Sequence, residues 1–269
     1  MIRPLNIEKA AARLENFIKD FTSKNGYSKV VIGISGGVDS ALSAVLGSKA
    51  LGSENVLGLI MPYHTSSPES EQDALTVASQ FGISTEKIDL SPMIDAWLGN
   101  NDVSALRRGN KLARERMSQL FDIAARDTRM VLGTSNKTEI CLGYSTWYGD
   151  SACSFNPLGG LYKCEIREMA SFLGIPQKII DKNPTADLWP GQTDESELGV
   201  SYEMADRVLI QIVEHGESSL ARLLETGADE KTIRLIVDRI NRFVYKRTAA
   251  TTDLLDGRPV PDEVALVNG

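Results

Sequence analysis

The sequence predicts an α/β protein built on a doubly wound parallel sheet, followed by a helical C-terminal extension. Apolar, β-branched runs alternate with longer segments of helical periodicity over the first half of the chain, which is typical of parallel strands connected by helices. These runs are apolar throughout and do not alternate with polar residues, as expected of strands covered on both faces. From about residue 200 onward, helical periodicity continues without strand-like runs.

Four strands and four helices make up the predicted α/β part. An amphipathic helix is predicted over 5–24, and Asn25 with Gly26 ends it. Strands are predicted over 29–34, 55–62, 84–91 and 129–135. The other helices are predicted over 38–51, 67–82 and 102–126. Ser67 is the expected N-cap of the second of these, and Pro68 suits its first turn.

The C-terminal part consists of two predicted helices and a tail. The helices fall in SYEMADRVLIQIVEHG (201–216) and DEKTIRLIVDRINRFVYKR (229–247), and the tail from Ala249 to Gly269 is expected to be extended. No stretch of the sequence has the composition of a linker. The predicted division is a single domain over 1–269, with an α/β core at about 28–190 and a helical part at 200–269.

Composition favours a cytoplasmic protein that acts on small molecules. With 29 Lys and Arg against 36 Asp and Glu, the 269-residue chain has a net charge of −7. This opposes nucleic acid as a partner, because phosphate binding needs a basic surface. The sequence has no apolar run of about 18 residues, and its N-terminus lacks the apolar core of a signal peptide, so no membrane association is expected. Cys141, Cys153 and Cys164 show no zinc spacing, and their odd number argues against a disulfide framework.

A glycine-rich turn, SGGVDS (35–40), directly follows the first predicted strand, where parallel sheets bind ligands. Its glycines allow close backbone approach, the helix after them offers N–H groups to an anion, and its serines add hydroxyl donors. Asp39 would repel a phosphate unless a divalent cation lay between them, and Mg²⁺ is the natural choice. The alternative is a structural turn with a capping aspartate. The residues predicted to hold phosphates are Gly33, Ile34, Ser35, Gly36, Gly37, Val38, Asp39 and Ser40.

A second polar segment, VLGTSNKTE (131–139), again follows a predicted strand. Thr134 can donate a hydrogen bond to a phosphate or to adenosine, and Glu139 can offer a second carboxylate to the metal. Taken alone, the segment is also typical of a helix N-terminus with Glu139 in its first turn. If the two strands are neighbours, Asp39 and Glu139 would share the Mg²⁺ ion.

Together, the two segments resemble motifs of a known family. SGGVDS resembles the pyrophosphate loop of the ATP pyrophosphatase superfamily, and its combination with GTSNKTE is similar to the NAD synthetases. The resemblance extends from about residue 5 to 250. It implies an enzyme that cleaves ATP between the α and β phosphates, passes AMP to deamido-NAD, and converts this adenylate to NAD with ammonia.

The resemblance also implies contacts for individual residues. Lys163, in NPLGGLYKCEI, and Thr185, in PTADL, would contact ATP. Arg114, in ARERM, and Lys246, in YKR, would contact deamido-NAD. Asp150, in YGDSAC, would lie near the incoming amine. Lys163 would act in catalysis together with the two metal carboxylates and Asp150.

Structural alternatives exist for two of these segments, and two positions depart from the family pattern. The stretch 184–199 would cover the substrate, but it is rich in Gly, Pro and acidic residues and could be a solvated loop. Arg107 and Lys111 share a helical face with the predicted contact arginine, and that face could simply be charged surface. Trp147 and Ser154 stand where some members carry a lysine and an aspartate that contact the dinucleotide, so nicotinate recognition must use other groups.

The resemblance implies direct use of free ammonia, because glutamine-using relatives carry an additional amidotransferase domain for which this chain has no room. The three cysteines are expected to be structural thiols. A homodimer with the dinucleotide site at its interface is also implied. Two other classes stay open: an ATP pyrophosphatase that modifies tRNA, typically by thiolation, and an ATP-binding sensor without catalysis.

Overall fold

A parallel sheet lies at the centre of the computed structural model. The model describes residues 5–99, 101–189 and 191–248. The strands are β1 (Val30–Gly33), β2 (Val56–Ile60), β3 (Ser84–Lys87) and β4 (Met130–Val131). Their order is β3-β2-β1-β4, and Val30 of β1 lies opposite both Val56 and Met130. After β1, the chain adds β2 and β3 on one side of β1 and then adds β4 on the opposite side. The direction of strand addition therefore reverses between β1 and β4, which is the switch point of the sheet.

Twelve α-helices are present within the described ranges. They are α1 (Ile7–Lys24), α2 (Val38–Leu51), α3 (Pro68–Gln80), α4 (Ser91–Leu98), α5 (Ala105–Asp127), α6 (Lys137–Leu142), α7 (Lys163–Phe172), α8 (Gln177–Ile180), α9 (Asp194–Leu198), α10 (Tyr202–His215), α11 (Leu220–Leu224) and α12 (Glu230–Arg242). The predicted start of α3 is confirmed, because the Ser67 hydroxyl accepts a hydrogen bond from the Glu69 N–H at 3.2 Å.

Three predicted elements differ from the structure. The strand predicted over 84–91 stops at Lys87, because the Asp89 carboxylate accepts hydrogen bonds from the N–H and hydroxyl of Ser91 and starts α4 there. The strand predicted over 129–135 is only the two-residue β4, and Ser154 accepts the Val131 N–H at 3.0 Å. The predicted loop over 184–199 contains the short helix α9. The tail predicted to be extended, 249–269, lies outside the described residues.

Both faces of the sheet are covered, which confirms the doubly wound α/β class. Val30 and Ile32 of β1 belong to one buried cluster, which α1, α2 and α7 complete. Val31 belongs to a second buried cluster on the opposite face, completed by α4 and α5. Successive residues of a strand point to opposite faces, so Val30 and Ile32 enter one core and Val31 enters the other.

A third buried cluster joins the C-terminal helices to the end of the α/β part. Tyr202 and Leu209 of α10 pack in it with Ile236 of α12, Leu142 of α6 and Tyr162 just before α7. The helical C-terminal part therefore rests directly on the two helices that carry Glu139 and Lys163. Every helix of the described residues is too short or too polar to span a membrane.

Candidate active site

The turn between β1 and α2 has the shape of an anion-binding loop. Gly37 is the N-cap of α2 and provides no side chain, so the first N–H groups of the helix have no side-chain cap. The loop is closed by serines: the Ser40 hydroxyl donates to the Gly37 carbonyl at 3.0 Å and accepts the Ser35 N–H at 3.1 Å. These contacts hold the first turn of α2 towards the switch point, as the sequence predicted.

Gly36 is essential to this shape. Its φ is +79°, and a Cβ at this position would lie 2.2 Å from the backbone oxygen of Ser70 in α3. A left-handed φ strains any other residue, and here the backbone of α3 also blocks the space that a side chain would need.

Substituting Gly36→Ala is expected to weaken ATP binding about tenfold or more, because relieving about 1–3 kcal/mol of strain requires the loop to move. Gly26→Ala is the matched control: Gly26 has a φ of +76°, but a Cβ there would have nothing within 4 Å. Calorimetric titration with ATP measures both variants. Equal affinity in the Gly36 and Gly26 variants would contradict this account of the loop.

The start of α6, after β4, holds Glu139 in place. Asn136 and Glu139 form a capping box, in which the Asn136 Oδ1 accepts the Glu139 N–H at 2.9 Å and the Glu139 Oε2 accepts the Asn136 N–H at 3.2 Å. The buried Asn136 also donates from Nδ2 to Asp39 Oδ1 at 2.9 Å. The helix-cap alternative is therefore present in the structure, and it also connects the two predicted carboxylates.

Lys163, the first residue of α7, lies against both carboxylates. Its Nζ pairs with Asp39 Oδ2 and lies 3.7 Å from Glu139 Oε1, and its side chain is only 3% exposed. The same Nζ lies 4.9 Å from the centre of the Tyr202 ring. Three of the residues predicted to be catalytic thus come together beside the ends of β1 and β4, where the Lys163 ammonium lies against both carboxylates.

Burial and the neighbouring charges shift the pKa values of Glu139 and Lys163. Burial and the neighbouring Asp39 carboxylate raise the pKa of Glu139, although Lys163 opposes the shift. Burial alone would lower the pKa of Lys163, but the attraction of Asp39 and Glu139 outweighs it and raises that pKa. The lysine is therefore a fixed positive charge, whereas Glu139 holds its proton well above the usual range for a carboxyl group.

The metal-free protein is expected to lose stability as the pH rises from about 5 to 8. In this range the folded state retains the Glu139 proton, whereas the unfolded chain, with an ordinary pKa of 4.5, has released it. The unfolded state then binds fewer protons, so the free energy of unfolding falls with increasing pH. Urea unfolding at several pH values, in the presence of a metal chelator, measures how the free energy of unfolding depends on pH.

Glu139→Gln should flatten this slope, since the amide does not titrate. Asp194 and Asp206, whose pKa values are also raised by burial, leave a smaller slope behind. A variant with the same pH dependence as the wild type would show that Glu139 does not hold the proton.

A cavity of about 570 Å³ opens beside these residues, a size usual for small-molecule sites. It is lined by most of the residues predicted from the sequence, namely Gly33, Ile34, Ser35, Gly37, Val38, Asp39, Ser40, Thr134, Glu139, Asp150, Lys163, Thr185 and Lys246. Gly36 shapes the loop without lining the cavity. Arg114 lies outside the lining, where its Nε donates to the Trp147 carbonyl at 3.3 Å.

Three further predicted contact residues line the cavity, and each is hydrogen-bonded to the backbone. The Lys246 ammonium donates to the carbonyls of Gly143 and Ser145 at 2.8 and 2.6 Å, and burial lowers its pKa. Asp150 accepts the Thr146 N–H at 2.7 Å. Thr185 accepts the Asp187 N–H at 3.1 Å. Asp150 and Thr185 thus stabilise their own loops, whereas Lys246 ties the C-terminal end of the described chain to the loop after α6.

The two positions that depart from the family pattern have structural contacts. Ser154 accepts the Val131 N–H at 3.0 Å next to β4, and the Trp147 ring stacks on Tyr148 with 4.7 Å between ring centres. The cysteines are free thiols whose pKa values are raised by burial, which fits the predicted structural role; they are Cys141, Cys153 and Cys164.

The donor set fits Mg²⁺ only together with a phosphorylated ligand. Asp39 and Glu139 both reach the Nζ of Lys163, so one cation could contact both carboxylates. No group of three or more Asp, Glu, His or Cys side chains in the described part of the chain is arranged to hold a metal alone. Mg²⁺ commonly binds through one or two carboxylates, with phosphate oxygens and water completing its octahedron.

Two residues of the cavity lining, Asp194 and Arg116, were not predicted from the sequence. Asp194 of α9 is buried and accepts hydrogen bonds from the hydroxyls of Tyr144 and Tyr202 at 3.1 and 3.0 Å, beside Glu139. Arg116, and not Arg114, lines the cavity, and its Nε donates to the Met61 carbonyl at 3.2 Å. The sequence did signal the acid-rich 184–199 stretch, but not which of its acids turns inward.

Fold and site together define a nucleotide-binding α/β protein, with a glycine loop and an acid–lysine group at the switch point. A family model described as NAD synthase matches residues 10–250. The chain belongs to the NAD synthase family. The alternatives of a tRNA-modifying enzyme or a non-catalytic sensor are not favoured by this match.

Individual relatives agree with this assignment. The NH(3)-dependent NAD(+) synthetase of Fusobacterium nucleatum subsp. nucleatum is 46% identical over 244 residues, which cover 90% of this chain and 94% of the relative. Solved structures of NMN synthetase from Francisella tularensis and of NH3-dependent NAD synthetase from Campylobacter jejuni, in complex with the nitrate ion, match with TM-scores of 0.82 and 0.78. Their identities are 32% and 31%, and each match covers 93% of this chain and 99% of the other.

Proposed function

We propose that this cavity catalyses the ATP-dependent amidation of deamido-NAD by ammonia, which gives NAD, AMP and pyrophosphate. The protein is a ligase that forms a C–N bond. The observation that carries the proposal is the contact of Lys163 with Asp39 and Glu139 beside an uncapped helix N-terminus. Such an arrangement suits the transfer of an adenylyl group, because that step concentrates negative charge on phosphate oxygens.

Adenylation solves the chemical difficulty of the reaction. A carboxylate is a poor acyl donor because its leaving group would be oxide. In the first step a nicotinate carboxylate oxygen attacks the α-phosphorus of ATP, and the bond to pyrophosphate breaks. In the second step the ammonia nitrogen attacks the acyl carbon, the carbon–oxygen bond to AMP breaks, and a proton leaves the nitrogen. Neither step needs a nucleophilic side chain.

The residues divide between the two ends of the cavity. The N–H groups and hydroxyls of the loop at 33–40, with Thr134, Lys163 and Thr185, bind ATP. Lys163 neutralises charge on the α-phosphate and on the departing pyrophosphate, which orients two anions for reaction. Asp39 and Glu139 would hold Mg²⁺, which supplies further charge neutralisation when bound.

The acceptor occupies the other end. Lys246 and Arg114 bind deamido-NAD, and Asp150 lies near the incoming ammonia. Arg114 contacts Trp147 on the exposed side of the cavity wall, so this role requires the acceptor to extend beyond the cavity. That extension fits a homodimer with a shared dinucleotide site. Sedimentation of the purified protein tests the dimer.

Three further expectations from the sequence belong to the same proposal. The chain works as one unit, with the α/β core at 28–190 and the helical part at 200–269. The packing of α10 against α6 and α7 supports this unity. The protein acts in the cytoplasm and binds no nucleic acid.

The decisive assay measures AMP with ATP, Mg²⁺ and ammonium and a panel of carboxylate acceptors. AMP should form with deamido-NAD and depend on it. Because one similar structure is an NMN synthetase, the panel includes nicotinate mononucleotide; a clear preference for it would replace the dinucleotide in this proposal. Glutamine is tested against ammonium as the nitrogen donor, and a clear preference for glutamine would contradict the ammonia step.

A further inference from the structure

One buried carboxylate of α10 connects the starts of α6 and α7. The Thr138 hydroxyl donates to Asp206 Oδ1, and the Cys164 N–H donates to Asp206 Oδ2 at 2.8 Å. Thr138 also accepts the Lys163 N–H at 3.0 Å. Thr138 and Cys164 are the immediate neighbours of Glu139 and Lys163 in the chain, so Asp206 fixes the backbone beside both site residues.

The Asp206 carboxylate is buried without an oppositely charged partner among the described residues. Asp206 is 1% exposed and Thr138 is fully buried, and Asp206 forms no ion pair with any residue in the described ranges. A buried carboxylate without an opposite charge is costly, and it is tolerated where hydrogen bonds satisfy both oxygens. A hydrophobic residue would fill the same space without this penalty, but it could not join the two helix starts.

We propose that Asp206 is a positioning residue, which sets the distance between Glu139 and Lys163 through Thr138 and Cys164. This role rests on the proposed function, because it matters for catalysis only if those two residues act on ATP. Asp206 itself does not line the cavity and touches no reacting group.

A second acid of the same helix provides a control. Glu214 lies eight residues further along α10, about 12 Å away along the axis. It pairs with the Lys137 ammonium and accepts the Tyr162 hydroxyl at 2.9 Å. Glu214 therefore joins the same two segments through the side chains of Lys137 and Tyr162, whereas Asp206 reaches the backbone N–H of Cys164 directly and that of Lys163 through Thr138. If both acids merely held the segments together, the two would affect the protein in the same way.

The test compares Asp206→Ala, Asp206→Asn and Glu214→Gln by kcat, KM for ATP and melting temperature. Asp206→Ala should lower kcat about 10–100-fold, the usual effect of losing a residue that orients a ligand-binding group. Its KM for ATP should stay within about threefold, because the misplaced groups matter most in the transition state. Asp206→Asn can still accept the Cys164 N–H, so its kcat should lie between those of Asp206→Ala and the wild type. Glu214→Gln should keep the wild-type kcat.

A second pair of variants covers the case in which Asp206→Ala does not fold. Thr138→Val removes the hydroxyl that joins Asp206 to the Lys163 N–H and should lower kcat as Asp206→Ala does. Thr138→Ser keeps the hydroxyl and should restore most of that loss. Calorimetric binding of ATP with Mg²⁺ provides a readout that does not depend on turnover, and both Thr138 variants should bind ATP within about threefold of the wild type, since the misplaced groups matter most in the transition state.

Folded Asp206 and Thr138→Val variants with a kcat within about twofold of the wild type would overturn the proposal, even if their melting temperatures fell. Glu139→Gln and Lys163→Met are assayed beside them. Full activity in those two variants would instead show that the proposed function of the site is wrong.

Discussion

Asp39→Asn is expected to lower the rate of AMP formation by about 10³-fold or more, the scale at which charge-stabilising groups act in phosphoryl transfer. The amide keeps the shape of the side chain and can still accept the hydrogen bond from Asn136. It cannot neutralise Lys163, with which Asp39 now pairs, and it is a poor ligand for Mg²⁺. The measurement is AMP release under saturating ATP and deamido-NAD, with the melting temperature recorded in parallel.

Asp89→Asn is the matched control for this substitution. Asp89 is an exposed carboxylate that accepts the Ser91 N–H at 2.9 Å at the start of α4, and it does not line the cavity. The same chemical change there should leave the rate unaltered. A folded Asp39→Asn protein with near-normal AMP formation would remove Asp39 from the catalytic assignment.

Lys163→Met should produce the second large effect, on both rate and stability. The rate should fall about 10³-fold, because the variant loses the only ammonium that contacts both Asp39 and Glu139 in the described residues. Breaking a buried ion pair from one side costs about 3–5 kcal/mol. This cost should grow with increasing pH, since without the lysine both carboxylates must either take up protons or remain buried as unpaired charges.

Lys178→Met is the control for stability. Lys178 also pairs with two acids, Glu69 and Asp73, but its side chain is 62% exposed. Solvent screens such pairs, so the free energy of unfolding should hardly change. Urea unfolding of both variants at about pH 6 and about pH 8, within the range in which many proteins are most stable, gives the comparison. Equal losses would show that the site lysine is not effectively buried.

The sequence predicted the part of the site that depends on local pattern. A strand followed at once by SGGVDS, and a second one followed by TSNKTE, placed Asp39 and Glu139 at strand ends. Parallel strands then bring these ends to one edge, and the β1–β4 pairing confirms that they are neighbours. Lys163 came from resemblance alone, because nothing in its own segment indicates that its ammonium turns towards residues over a hundred positions away.

The remaining site residues depend on contacts that no local pattern shows. Asp206 lies on the buried face of α10, four residues after Tyr202, and only the fold shows that its carboxylate meets the Thr138 hydroxyl there. Asp194 is one of several acids in a short segment, and only the fold decides which of them faces two tyrosines. Arg116 lines the cavity, whereas Arg114 does not, because the two point in different directions from α5.

The ammonium of Lys163 also acts as a tethered counterion between Asp39 and Glu139. A free divalent ion must displace the Lys163 ammonium from Asp39 and Glu139. It brings no anion with which the displaced ammonium could pair. An ion that arrives already chelated by a triphosphate brings oxygens to which the lysine can turn. We therefore expect metal and nucleotide to bind as one complex, and the nucleotide-free protein to have little affinity for free Mg²⁺.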